Sequence, residues 1–360
     1  TRLSSDMFNG LAPWLVRLPG GLLHVNIVGC GVMAAVAGSS AVTCATVGRM
    51  SIPELRKRGY DEGLSIGTLA GSGTLGLLIP PSIMLIVYGV LAQQSISRLF
   101  IAGVLPGILI ISIFMAYVSI RSILNPKLAP IETFNMSFTE KLKASRHLIP
   151  VIGLILCVIG SIYGGYATPT EAATVGVIGA LILAGLTKSL SWASFMESLM
   201  GGVRTSCMIS FILVGAAFLS VALGFTGVPR ILGGYVEALD LSPGMLIVIL
   251  TILYIFLGCF LEGVSMMVLT AAVVLPMVQN AGIDLLWFGV FTVIVVEMAQ
   301  ITPPVGFNLF VLQGLADRDI GFIAKSAFPL FLLLILAVVV IIVFPDIALW
   351  LPEQMIQPLN

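Results

Sequence analysis

The sequence predicts an all-α polytopic membrane protein built from two inverted repeats, each with a re-entrant helical hairpin and a broken transmembrane helix. Three observations carry that expectation: composition, a recurrence of prolines at constant spacing, and the distribution of basic residues. Of 360 residues, 58% are hydrophobic and only 9% charged. A soluble domain carries about 25% charged residues, so most of this surface is not made for water. Apolar runs near 20–48, 60–92, 98–124, 148–164, 171–187, 203–224, 244–279, 285–313 and 324–350 have the length of membrane spans or of hairpins within the membrane. Net charge is zero and no basic cluster alternates with exposed aromatics, which argues against nucleic acid as a partner. Cys30, Cys44, Cys157, Cys207 and Cys259 are scattered through apolar stretches without a CxxC pair, so they read as small packing residues. His24 and His147 have no metal-ligand spacing.

Offset by 223 residues, Pro53 falls on Pro276, Gly59 on Gly282, Pro80 on Pro303, Pro81 on Pro304 and Pro106 on Pro329. Gapless matches among only 19 prolines mark an internal duplication. The first repeat covers 20–124: a hairpin over 20–58 interrupted by "AGSSAVTCA", a helix over 60–92 broken at "LIPPS", and a helix over 98–124. The second covers 244–350: a hairpin over 244–280 interrupted by "GCFLEGVS", a helix over 285–313 broken at "ITPPVG", and a helix over 324–350. Residues 1–19 read as an amphipathic connecting arm, 125–243 as scaffold helices with interfacial arm helices, and 351–360 as a tail. Within 125–243, "SWASFMESLMGG" and "VPRILGGYVEALD" have the pattern of helices lying along a membrane surface. The chain starts at "TRLSSDMFNG" with neither methionine nor signal-peptide pattern, so an upstream membrane segment is expected to precede it.

Loop charges set the orientation. Arg49, Arg56, Lys57 and Arg58 follow the first hairpin, and Arg121, Lys127, Lys141, Lys143 and Arg146 share one longer loop. One span out and one back puts both clusters on the same side, which the positive-inside rule makes the cytoplasm. Carried forward with both hairpins entering and leaving on one side, the alternation puts all 17 basic residues except Arg98 and Arg230 inside. Five spans separate the hairpins, so the second repeat is expected to be inverted, the arrangement of secondary transporters.

The breaks carry the chemistry. Proline removes a donor and collides with the carbonyl one turn back, and each freed carbonyl in hydrocarbon costs several kcal/mol unless satisfied. Irregular backbone at that depth persists where it lines a cavity or binds something. Bare carbonyls with the Thr302 hydroxyl and the Asn308 amide are hard oxygen ligands suited to sodium, and Gly306 lets the backbone approach closely. One hairpin tip brings Ser39, Ser40 and Thr43 to a turn, the other Glu262 and Ser265. A half-helix beginning near Ser82 aims its amides at the midplane, where they favour an anion. Together these describe sodium-coupled uptake of a carboxylate.

Each feature has a plainer counterpart. Hydroxyls in membrane helices often bond to their own helix or a neighbour, and a Pro-Pro pair can be a simple kink. Glu262 at bilayer depth would cost about 2.5–3.5 kcal/mol and needs a partner or a task. Glu297 reads equally as a neutral or hydrogen-bonded interface acid and as a transport residue, while Glu171 after "TPT" reads as a helix-start acid.

Five stretches, "AGSSAVTCATVGRMSIPELRKRGYDEG", "GTLGLLIPPSIMLIVYGV", "SRLFIAGVLPG", "GGYATPTEAATVG" and "QITPPVGFNLFVLQG", occur in an order covering nearly the whole chain. In them the sequence resembles the large membrane subunit of TRAP (tripartite ATP-independent periplasmic) transporters. The resemblance implies a multi-pass protein of the bacterial inner membrane, in contact with lipid, working with a small four-helix membrane subunit and a periplasmic substrate-binding protein. It implies an elevator mechanism and two sodium sites. The first would involve Ser39, Ser40 and Thr43 with an unwound region around Ser72, Gly73 and Gly76. The second would involve Gly258, Glu262 and Ser265 with Thr302, Gly306 and Asn308. Ser82, with Ser40 and Asn308, would meet the substrate, an organic anion such as a C4-dicarboxylate, sialic acid or related sugar acid. Two positions depart from the family: Glu262 stands where an aspartate is frequent, and Ala37 replaces the leading serine of a Ser-Gly-Ser tip.

Nothing resembles a nucleotide-binding loop or a catalytic constellation, so no enzyme activity, and no cofactor beyond coupling sodium, is expected. The rival expectation is a sodium- or proton-coupled carboxylate symporter or antiporter of the same hairpin architecture that needs no binding protein.

Overall fold

The structure, a computed structural model, describes residues 3–130, 137–146, 148–227, 231, 242–304 and 306–354. Arg230, His147, Val305 and all but Ile231 of the 228–240 segment lie outside the described residues, as do the chain ends. The described chain is all-helical: α1 (Leu3–Leu15), α2 (Leu23–Ala37), α3 (Ser40–Lys57), α4 (Glu62–Gly73), α5 (Leu75–Leu78), α6 (Ile83–Leu91) and α7 (Ile96–Leu124). There follow α8 (Phe138–Ser145), α9 (Ile149–Tyr163), α10 (Pro169–Leu186) and α11 (Trp192–Thr226). The last group is α12 (Pro243–Gly258), α13 (Gly263–Asn280), α14 (Leu285–Ala299), α15 (Phe307–Ala316), α16 (Ile320–Val343) and α17 (Asp346–Glu353). Among the described residues five helices are long and apolar enough to cross a membrane, and up to seven if each bent pair counts as one span.

The duplication is visible element by element. Helix pairs α2/α3 and α12/α13 are followed by α4–α6 and α14–α15, each interrupted at the Pro-Pro pair, then by the long helices α7 and α16. Asp61 caps α4 by accepting from the Leu64 amide at 2.7 Å, and Asp284 caps α14 by accepting from Trp287 at 2.8 Å. Gly59 and Gly282, which turn the chain between hairpin and broken helix, have φ of 76° and 72°, the left-handed region open to glycine without a Cβ clash. Pro53 and Pro276 lie inside α3 and α13, and Pro106 and Pro329 inside α7 and α16. The Pro80–Pro81 and Pro303–Pro304 bonds are both cis.

The halves exchange partners rather than packing side by side. Helix α16 lies on α4 and α7 on α14, while α15 lies on α3 and α6 on α13. The first parts of the two broken helices are therefore the centre of the molecule: every residue of α14 from Leu286 to Ala299 is buried, and every residue of α4 from Leu64 to Gly73. Helices this apolar on all sides are stable only inside a core or a membrane. Small residues set the spacing. A Cβ on Gly67 would stand 2.3 Å from the Ser326 carbonyl oxygen, and one on Gly289 would strike the Tyr88 ring at 2.5 Å. At one end the Glu62 carboxylate joins Arg56, at the end of α3, to Arg318, between α15 and α16, with Arg318 Nη2 at 2.6 Å. That carboxylate pushes the Arg318 guanidinium pKa up.

By contrast α10 and α11 each bury a single residue, Ala172 and Ala216. Thr168 and Glu171 form a capping box at the start of α10, the local role expected of that acid. Three expectations are corrected. The "SWASFMESLMGG" piece is not a separate interfacial helix but the first turns of the 35-residue α11, because Gly201 and Gly202 weaken a helix by about 1 kcal/mol each without removing a donor. The 324–350 segment is two helices, α16 and α17, parted at Pro345, which heads α17 and has no amide to continue the ladder. The unwound stretch around Ser72, Gly73 and Gly76 shrinks to a break at Thr74, whose hydroxyl and amide both turn back to the Gly71 carbonyl; Ser72 and Gly73 end α4, and Gly76 lies in α5.

Gly67→Ala should lower stability by about 1–3 kcal/mol through overpacking. Gly314→Ala, where a Cβ meets nothing within 4 Å, should be neutral or gain up to about 1 kcal/mol of helix propensity. Thermal unfolding of both variants in one detergent checks the contrast.

Candidate functional site

The first tip is built by backbone contact. Helix α2 ends at Ala37 because Gly38 turns left-handed at φ 60°, returning its amide to the Ala34 carbonyl. A Cβ on Gly38 would stand 3.0 Å from the Pro81 carbonyl oxygen, so the tip rests against the break between α5 and α6. Ser39 is extended and heads α3 without its side chain capping the helix. Gly76 lies beneath: a Cβ there would be 2.5 Å from the Ser39 carbonyl oxygen and 2.6 Å from Ser40 Cα. A Cβ on Gly73 would stand 2.9 Å from the Cβ of Cys44. The structure thus brings Ser39, Ser40 and Gly76 into one contact. Thr43 and Ser72 are fully buried, and their hydroxyls have no hydrogen-bond partner.

The second tip follows the same plan with different residues. Gly258 packs on Ala299, Gly76's counterpart in the repeat, and Gly263 packs on Val296 and Gln300. Glu262 heads α13 and accepts from the amides of Val264 at 3.1 Å and Ser265 at 3.2 Å. Its side chain is exposed, and its partners are the backbone amides at the start of its own helix. Capping gives its charge a local role.

The break after α14 is tight. Thr302 donates its hydroxyl to the Met298 carbonyl at 2.9 Å, the bond to its own helix that such residues commonly make. Gly306 bonds back to the Thr302 carbonyl, and a Cβ there would meet the carbonyl oxygens of Thr302 and Gln300 below 3.0 Å. Asn308 opens α15, is completely buried, and leaves both side-chain polar atoms without partners. Because α15 packs on α3, α4 and α16, Asn308 belongs to a helix lying along the first hairpin.

Ser82 caps α6, accepting from the Leu85 amide at 3.3 Å and donating to the Leu77 carbonyl. Its hydroxyl is engaged by its own backbone, whereas those of Thr43 and Ser72 are not. Glu297 stood outside the expected ligand sets, yet it is the buried acid of this region, 1% exposed in the last turn of α14, with the Ser40 hydroxyl facing it. The signal was present: it is the sole acid between Leu285 and Ala316.

A family model described as "Tripartite ATP-independent periplasmic transporter, DctM component" matches residues 1–347. The chain belongs to the DctM family of TRAP transporters. It is 31% identical over 338 residues to the C4-dicarboxylate TRAP transporter large permease protein of Pseudomonas aeruginosa, covering 94% of this chain and 78% of that protein. It is 31% identical to the isethionate TRAP transporter permease protein DctMQ of Oleidesulfovibrio alaskensis, covering 97% of this chain and 55% of that longer protein. It is 29% identical to the sialic acid TRAP transporter large permease protein of Vibrio cholerae, over 98% and 82% of the two chains. A solved structure, the YdaH transporter of Alcanivorax borkumensis, shares the fold with a TM-score of 0.59 at 17% identity, over 97% of this chain and 87% of that one. This DctM-family chain is therefore a large TRAP permease component with an all-helical transporter fold.

Gly76→Ala should separate the first tip from α5 and cost about 1–3 kcal/mol, because the obstacle is backbone that cannot rotate aside. Gly73→Ala, opposed by a cysteine side chain and starting from a contact 0.4 Å longer, should cost less. Melting temperatures of the two variants, measured side by side, decide the order.

Proposed function

We propose that this permease subunit drives sodium-coupled import of an organic anion across the bacterial inner membrane. The observation that carries the proposal is the set of buried oxygens without partners around the hairpin tips and breaks: Thr43 Oγ1, Ser72 Oγ and Asn308 Oδ1. A buried polar group normally finds a partner, and an orphaned one costs about 1–3 kcal/mol, so several together ask for a ligand. All are neutral hard oxygens, the donor set suited to sodium.

In this proposal one ion is held by Ser39, Ser40 and Thr43 with Ser72 and the backbone near Gly73 and Gly76. A second is held by Gly258, Glu262 and Ser265 with Thr302, Gly306 and Asn308. Bound sodium supplies positive charge beside an anion whose carboxylate meets Ser40, Asn308 and the amide end of α6, headed by Ser82. The chain's own part is to hold these oxygens against each other through glycine contacts and to exclude lipid from the breaks. The two repeats are inverted across the membrane, and the hairpins with their broken helices move as an elevator against a scaffold that includes α9 to α11. Their sparse burial supports contact with lipid and with a small membrane subunit, which the longer DctMQ relative is consistent with carrying in one chain. Substrate arrives on a periplasmic binding protein. C4-dicarboxylates, sialic acid and the sulfonate isethionate, named for the relatives, bound the expected class.

Two measurements test this. Sodium, exchanged against potassium at fixed ionic strength, should stabilise the purified protein by about 2.7 kcal/mol at a hundredfold excess over its Kd. Asn308→Ala should weaken the effect, and Glu262→Gln should remove part of it. In proteoliposomes, a sodium gradient should drive uptake only with a cognate binding protein added. Equal stability in the two salts would overturn sodium coupling, and uptake without binding protein would favour the self-sufficient symporter.

A further inference from the structure

Glu297 is a buried ionisable group that the fold does not use. Neither of its carboxylate oxygens has a hydrogen-bond partner of ordinary geometry. No arginine or lysine pairs with it among the described residues. A carboxylate taken out of water without a partner is strongly unfavourable, and α14 is buried along its whole length from Leu286, so the side chain has no outer surface to reach.

Its polar surroundings come from both tips. The Ser40 hydroxyl faces it from the first turn of α3, and Cys44 lies one turn further on. The amide end of α3, left uncapped by the Ser39 side chain, helps hold negative charge there. From the other repeat, Glu262 at the second tip is near enough for its charge to act on Glu297, and Gly263 of that tip packs on Val296 and Gln300, to either side of Glu297. Asn308, whose amide bonds the Gln300 carbonyl, adds an unpartnered side-chain oxygen on the next helix. Glu262 is exposed and engaged in capping its own helix, so Glu297 is the one buried acid among these neutral oxygens, a charge suited to a monovalent ion. Among the described residues there is no group of three or more His, Cys, Asp or Glu that would suit a higher charge.

We propose that Glu297 supplies negative charge to the sodium sites at both hairpin tips. This rests on the sodium-coupled reading and deepens it: the two tips draw on a common carboxylate, so ion binding at one is felt at the other.

The test uses the full chain in detergent, with sodium chloride titrated against potassium chloride. Wild type should show a sodium-specific rise in melting temperature. In Glu297→Gln the half-saturating sodium concentration should increase by about tenfold or more, as expected when a charge at contact distance is lost. The melting temperature of that variant in potassium alone should stay level or rise, because an unpaired buried carboxylate has gone. A second measurement needs no variant: dicyclohexylcarbodiimide, an apolar reagent for buried carboxyls, should modify Glu297 of the wild type in potassium and be slowed by sodium, read by peptide mass spectrometry. An unchanged sodium titration in Glu297→Gln, or labelling that sodium does not slow, overturns this inference and leaves sodium coupling standing. A wild type indifferent to sodium overturns both.

Discussion

Everything in this molecule depends on one constraint: a helix broken inside a membrane must have its break enclosed by protein, since lipid offers no hydrogen bonds to the freed backbone groups. The two Pro-Pro pairs create the breaks, and the hairpin tips approach them. Gly38 against Pro81 and Gly76 against Ser39 are contacts at backbone distance, open only to residues without a Cβ. The second repeat reaches the same end with Gly258 against Ala299. Enclosure also explains the exchange of partners between halves, because each long helix covers the broken helix of the opposite repeat.

Within that enclosure the polar side chains divide into two kinds. Ser82, Thr74 and Thr302 give their hydroxyls to carbonyls of their own segment, which repairs the local damage of a break. Thr43, Ser72, Asn308 and Glu297 have no such partner. The first kind makes a broken helix tolerable; the second is what the sodium proposal builds on, because oxygens without an internal donor are open to a ligand.

Helices α9 to α11 obey a different rule. They are apolar yet sparsely buried, with three buried residues in α9 and one each in α10 and α11, so most of their surface is suited to lipid or to another membrane protein rather than to this chain's core. The division between a densely packed pair of repeats and a loosely attached set of spans is what an elevator proposal requires: one body with its internal contacts complete, and another with surfaces left to bind elsewhere.

The sequence by itself determined the class, the duplication and the positions of the breaks, because hydropathy, proline and glycine act locally and leave a periodic trace. It also marked the start of α10, through Glu171. It could not separate the 191–202 stretch from the helix it opens, since an amphipathic first turn looks alike whether the chain stops or continues. Only the tertiary structure decided which polar residues are satisfied. The sequence put Glu262 in a ligand set and left Glu297 open between interface acid and transport residue; the first is exposed and caps its own helix, and the second is buried in the core. That difference lies in what packs against each from distant parts of the chain, and no local pattern encodes it.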